Sequence, residues 1–99
     1  MTRPPSELDN KNRLTNFMEE LASDMLDGLI TEPEYRHARF SDTAKKDIKA
    51  LALNRLWPMY TTTENGKDFL KKVVVEDKIE QDIVRELKAA IAIVRSHPR

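Results

Sequence analysis

The chain has 99 residues, room for one small domain and not for two. Seventeen basic and seventeen acidic side chains cancel, and the lack of a basic excess argues against a dedicated DNA-binding domain. There is no cysteine, which removes disulfides, thiolate metal sites and thiol redox chemistry. No charged segment followed by an apolar stretch opens the chain, and no apolar run approaches the roughly 18 residues of a membrane span. Neither a signal peptide nor membrane insertion is therefore expected, and a cytoplasmic location is. With 39% hydrophobic and 34% charged residues and only Gly28 and Gly66 as glycines, the composition favours helices joined by short turns. A domain of this size buries only about 60–65% of its unfolded surface, so its own stability is modest.

Residues 1–10 read as an N-terminal arm without a core of its own, and residues 11–99 as the folded domain. From residue 12 to 29 the apolar side chains Leu14, Phe17, Met18, Leu21, Met25 and Leu29 recur at helical spacing, with Gly28 near the expected stop. Residues 30–41 hold Pro33 and no sustained period, which predicts a connector with one helical turn at most. Ser41 is the N-cap candidate of a second helix running to Leu56, with Asp42 in its first turn. Its apolar residues Ala44, Ile48, Leu51, Ala52, Leu53 and Leu56 cover more than one face, so this helix should be contacted from two sides. Pro58 disfavours helical geometry at Trp57 and ends it.

Residues 59–66 are expected to turn, with three threonines and the dipeptide Asn65-Gly66. Residues 67–75 are ambiguous: Lys67 to Lys72 fit a short helix, while Val73-Val74-Val75 prefer an extended form and leave room for a short β-element. Ile79, Ile83, Leu87, Ala90, Ile91 and Val94 then mark a helix over residues 76–95, with acids at its start and Arg95 at its end. The expected fold is all-α: a small bundle of three main helices with short connecting helices. Ile91, Ile93 and Val94, together with the two-faced second helix, offer more apolar surface than three helices cover, which predicts a homodimer with a shared core.

Catalytic and metal-binding patterns are missing. His37 and His97 have no acidic or histidine neighbour at ligand spacing and read as surface residues. Two glycines make neither a nucleophile elbow nor a phosphate loop, and no carboxylate pair stands out, so neither an enzyme nor a metal or cofactor site is expected. Recognition groups remain. Arg55, Tyr60, Thr61 to Thr63, Lys67 and Lys71-Lys72 surround the turn after the second helix, and guanidinium, hydroxyl and aromatic ring together suit a phosphorylated nucleotide. The plainer account has Asn54 capping the helix, Tyr60 packed under the third helix, Trp57 plugging the core and the lysines solvated.

The pattern resembles the late competence protein ComFB family over nearly the whole chain beyond residue 10. The resemblance rests on Asn16, Glu19 and Leu21, on Asp47 through Tyr60 (DIKALALNRLWPMY), on the Thr61 to Gly66 turn, and on Ala90 through Arg99. The central motif is the specific part. The resemblance implies an all-helical, homodimeric, non-enzymatic protein that acts as a receptor for a cyclic dinucleotide such as cyclic di-GMP, and a 99-residue receptor of this kind is expected to respond through a partner protein. It suggests Arg55, Tyr60, Thr62 and Lys67 as ligand contacts, with Arg85 a further one from the last helix. Some members hold zinc through cysteines between the first two helices. This chain has none there, so packing must hold its connector. It also has Trp57 where a proline is frequent. The rival expectation is an adaptor or dimerisation module in which the basic residues only make surface pairs.

Overall fold

The computed structural model describes residues 14–97, so the expected N-terminal arm lies outside the described residues. The expected all-α class holds. Among the described residues the chain forms helices α1 (Phe17–Leu29), α2 (Asp42–Leu53), α3 (Glu64–Glu76) and α4 (Ile79–Ser96), with a single 3-10 turn over Pro33–Tyr35. A two-residue antiparallel ladder joins β1 (Thr15–Asn16) to β2 (Tyr60–Thr61), pairing Thr15 with Thr61 and Asn16 with Tyr60. No helix among them is long and apolar enough to cross a membrane.

The core lies where α1, α2 and α4 meet. Leu26, Ile48, Ile83, Leu87 and Ile91 are fully enclosed, each contributing about 1.5–3 kcal/mol by leaving water. The expected α1 stripe holds from Phe17 onward and widens: Phe17, Met18 and Leu29 are buried, and Leu21 and Met25 pack partly buried against the core. Ala22 and Leu26 are buried as well, whereas Leu14 precedes the helix and is exposed. The helix starts at Phe17 because the Asn16 side chain caps it, accepting from the Met18 N–H at 3.1 Å. Ser41 caps α2 in the same way, accepting from the Ala44 N–H at 3.0 Å.

α2 ends three residues before the expected Leu56. Arg55 and Leu56 donate to the carbonyls of Ala52 and Leu53, three residues back, so a tightened turn closes the helix before Pro58 can break it. Asn54 is the C-cap in right-handed geometry, and its N–H serves the Ala50 carbonyl at 3.1 Å.

Residues 67–75 lie in the third helix, α3, and the short β-element considered for them does not form. Thr63 decides this locally: its hydroxyl accepts from the Gly66 N–H at 2.9 Å and caps the helix that begins at Glu64. Asn65-Gly66 therefore sits in the first helical turn and is no hairpin turn. Tertiary packing overrides the extended preference of the valines by burying Val74, while Val75 faces outward. Glu76 closes α3, and Lys78, at φ 56°, makes the left-handed joint to α4. The acids of the first α4 turn are then Glu80 and Asp82.

The cysteine-free connector is packed. Tyr35 is buried and meets Phe40 edge to face at 6.0 Å between ring centres. Glu34 accepts from Lys88 of α4 at 3.0 Å, which ties the 3-10 turn to the bundle.

Candidate functional site: the corner after helix α2

The segment from Arg55 to Lys67 is stitched onto the start of α1. The Asn16 side-chain oxygen accepts from the Met59 N–H at 2.8 Å as well as from the Met18 N–H, and the Phe17 N–H donates to the Met59 carbonyl at 2.6 Å. One amide thus caps a helix and anchors the chain just after Trp57-Pro58. The β1–β2 ladder extends this seam by two residues. Beyond it, the Thr61 hydroxyl donates to the Thr63 carbonyl at 3.2 Å, and Gly66 packs against the Thr61 side chain so closely that a Cβ would overlap the hydroxyl. This is the glycine whose missing side chain matters.

The expected contact residues fare differently. Arg55 is exposed in the turn after α2 and enters no ion pair among the described residues. Tyr60 is exposed in β2, 58% open, so it does not pack under a helix. Trp57 is 87% exposed, which overturns its assignment as a core plug: the seam places Met59 inward, half-buried against the core, and leaves Trp57 in solvent. Thr62 is exposed between β2 and α3.

Lys67 is engaged. Its ammonium lies 3.3 Å from Glu20 of α1 and 3.7 Å from Glu64, and the Glu20 hydrogen bond holds its pKa above the ordinary value. Arg85 stands apart on α4, bonded to Asp82 at 2.9 Å and near Glu86 at 3.5 Å, and Asp82 raises its pKa. It lines a shallow hollow with Met25 and Val84, and that hollow includes none of the other four candidates. Arg55, Trp57, Tyr60 and Thr62 are thus all exposed on the segment between α2 and α3, Lys67 is committed to carboxylates at the start of α3, and Arg85 lies apart on α4. Lys71 and Lys72 are solvated, and so are His37 and His97. Among the described residues no cluster of histidine and carboxylate side chains could hold a metal ion.

Sequence reasoning missed two features. The Asn16 bridge could have been suspected from an amide directly before a helical stripe, but its second partner lies 43 positions away. The other is a deeper hollow of about 580 Å³ at the opposite end of α2, where Arg39 and Ser41 meet Val94 and Arg95 of α4. Nothing local in the sequence places those two arginines together.

The fold is thus a small all-helical domain whose corner after α2 is stitched to the start of α1. Residues 15–98 match the late competence development protein ComFB family, and the chain is a member of that family. It is similar in structure to the late competence protein ComFB from Bacillus subtilis, with a TM-score of 0.76 and 23% sequence identity over 87% of this chain and 92% of that one. At that identity the likeness speaks for the fold. No curated protein matches the chain.

Proposed function

We propose that the chain is a non-catalytic, cytoplasmic receptor for a cyclic dinucleotide, with cyclic di-GMP first among them, and that it works as a homodimer through a ligand-controlled contact with a downstream protein. The observation that carries this reading is the corner itself. A guanidinium without a carboxylate partner among the described residues lies within five positions of two exposed rings, Trp57 and Tyr60, on a segment pinned by Asn16. Arginine forks to phosphate or to guanine O6 and N7, and exposed rings stack on purines. Two exposed rings on an anchored segment contribute little to the fold and offer a ligand a preorganised surface. Membership of the ComFB family supports the reading through the ligand that the resemblance implies. Exposed Leu51 and Ile93 on α2 and α4 supply apolar surface for a second copy. DNA is not proposed as a partner, because basic and acidic residues balance.

A second reading, a homodimeric adaptor without a nucleotide, draws on the pairing of Lys67 with Glu20 and of Arg85 with Asp82. Both cations already have what a phosphate would supply. Titration calorimetry with cyclic di-GMP and cyclic di-AMP decides between the two. Saturable heat is expected, with Arg55→Ala weakening binding by about 1.5–3 kcal/mol through loss of a charge-assisted contact. No heat with either ligand at tens of micromolar protein leaves the adaptor. Unchanged affinity in a folded Arg55→Ala variant removes Arg55 from the site. Light scattering of the free protein tests the dimer separately.

A further inference from the structure

The hollow at the start of α2 is built from three separate stretches: the end of the connector, the first turns of α2 and the last turn of α4. Arg39 and Arg95 line it from different elements, and neither enters an ion pair among the described residues. Ser41 and Thr43 line it with hydroxyls, and Phe40 and Val94 give it an apolar wall. Its other charged lining residue is Asp47. Two cations against one carboxylate leave a net positive hollow in a chain whose charges balance overall. One carboxylate offsets only one of the two guanidinium groups, and an anion in the hollow would neutralise the remaining positive charge. The volume of about 580 Å³ suits a mononucleotide-sized molecule.

We propose that this hollow binds a phosphate monoester carried on a ring system, with Arg39 and Arg95 forking to the phosphate, the Ser41 and Thr43 hydroxyls donating to it, and the ring resting on Phe40 and Val94. The site is independent of the aromatic corner. The twelve residues of α2 separate the two by about 18 Å. The loss of either site leaves the other readable.

Amide and guanidinium NMR of the full chain, titrated with GMP, inorganic phosphate and guanosine, tests the proposal. GMP should shift the amides of Arg39, Ser41 and Thr43 and the Nε–H signals of Arg39 and Arg95, saturating below about 10 mM. Inorganic phosphate should reproduce the shifts more weakly, and guanosine should not produce them. Arg39→Ala and Arg95→Ala should each weaken GMP at least about tenfold, and Arg95→Lys by less, because a point charge survives without the fork. Both arginines are exposed, so amide dispersion should confirm that the variants fold. Absence of saturation with GMP, equal shifts with guanosine, equal affinity for inorganic phosphate and GMP, or unchanged GMP binding in both alanine variants would each overturn the proposal. Saturation at the Trp57–Tyr60 corner alone would overturn it too, while leaving the cyclic-dinucleotide reading standing.

Discussion

The Asn16 side-chain oxygen and the Met59 backbone N–H, 43 residues apart, meet at 2.8 Å while the same oxygen caps α1. The start of the first helix and the corner that follows the second are therefore one structural unit. Asn16→Ala removes both bonds and leaves the Met59 N–H half-buried without its acceptor, so it should destabilise the fold by about 1–3 kcal/mol. Asn16→Asp keeps the acceptor at a helix N-terminus and should lose much less. Urea unfolding of the two variants gives the comparison. Equal losses would mean that the Asn16 oxygen contributes nothing as an acceptor for either bond.

The two glycines should respond in opposite senses to alanine. At Gly66 a Cβ would overlap the Thr61 hydroxyl and crowd that of Thr63 at 3.1 Å, so Gly66→Ala should cost about 1–3 kcal/mol. Combining it with Thr61→Ala should recover part of the loss. At Gly28, inside α1, an added Cβ would meet nothing within 4 Å beyond its own stretch of helix, and Gly28→Ala should stabilise by about 0.5–1 kcal/mol. Thermal unfolding of the three variants measures both effects.

Alkali should weaken the fold. Burial, reinforced by Glu34, raises the Tyr35 phenol above 10.0, and the Glu20 and Glu34 carboxylates raise the Lys67 and Lys88 ammonium groups above 10.5. All three hold their protons more tightly folded than unfolded. Their contribution is fully present below about pH 10 and is lost as pH rises through the folded values. The urea midpoint should stay level from neutral pH to about 9 and fall beyond 10. In Tyr35→Phe that fall should be shallower, and an equally steep fall would acquit the phenol.

Trp57 separates binding from folding. At 87% exposure, Trp57→Ala should change stability by no more than about 0.5 kcal/mol. If a purine stacks there, the same variant should bind cyclic di-GMP more weakly by about 1–3 kcal/mol. Calorimetry and urea unfolding on one preparation measure the two together. A large stability loss with intact binding would restore the core-plug role.

The sequence by itself determined the all-α class, because apolar residues at helical spacing over α1, α2 and α4 leave few other ways to leave water. It also determined Ser41 as a cap, the break at Pro58 and, through the Asp47 to Tyr60 motif, the family. These are local properties, readable within a few turns of helix. Whether Val73-Val74-Val75 coils or extends, whether Trp57 faces core or solvent, and which basic residues meet a carboxylate all depend on neighbours far along the chain. Lys67 finds Glu20, and Arg39 and Arg95 come to line one hollow, only once the helices pack. The tertiary structure decided those, because burial and charge pairing are contacts between distant segments, and no local periodicity encodes them.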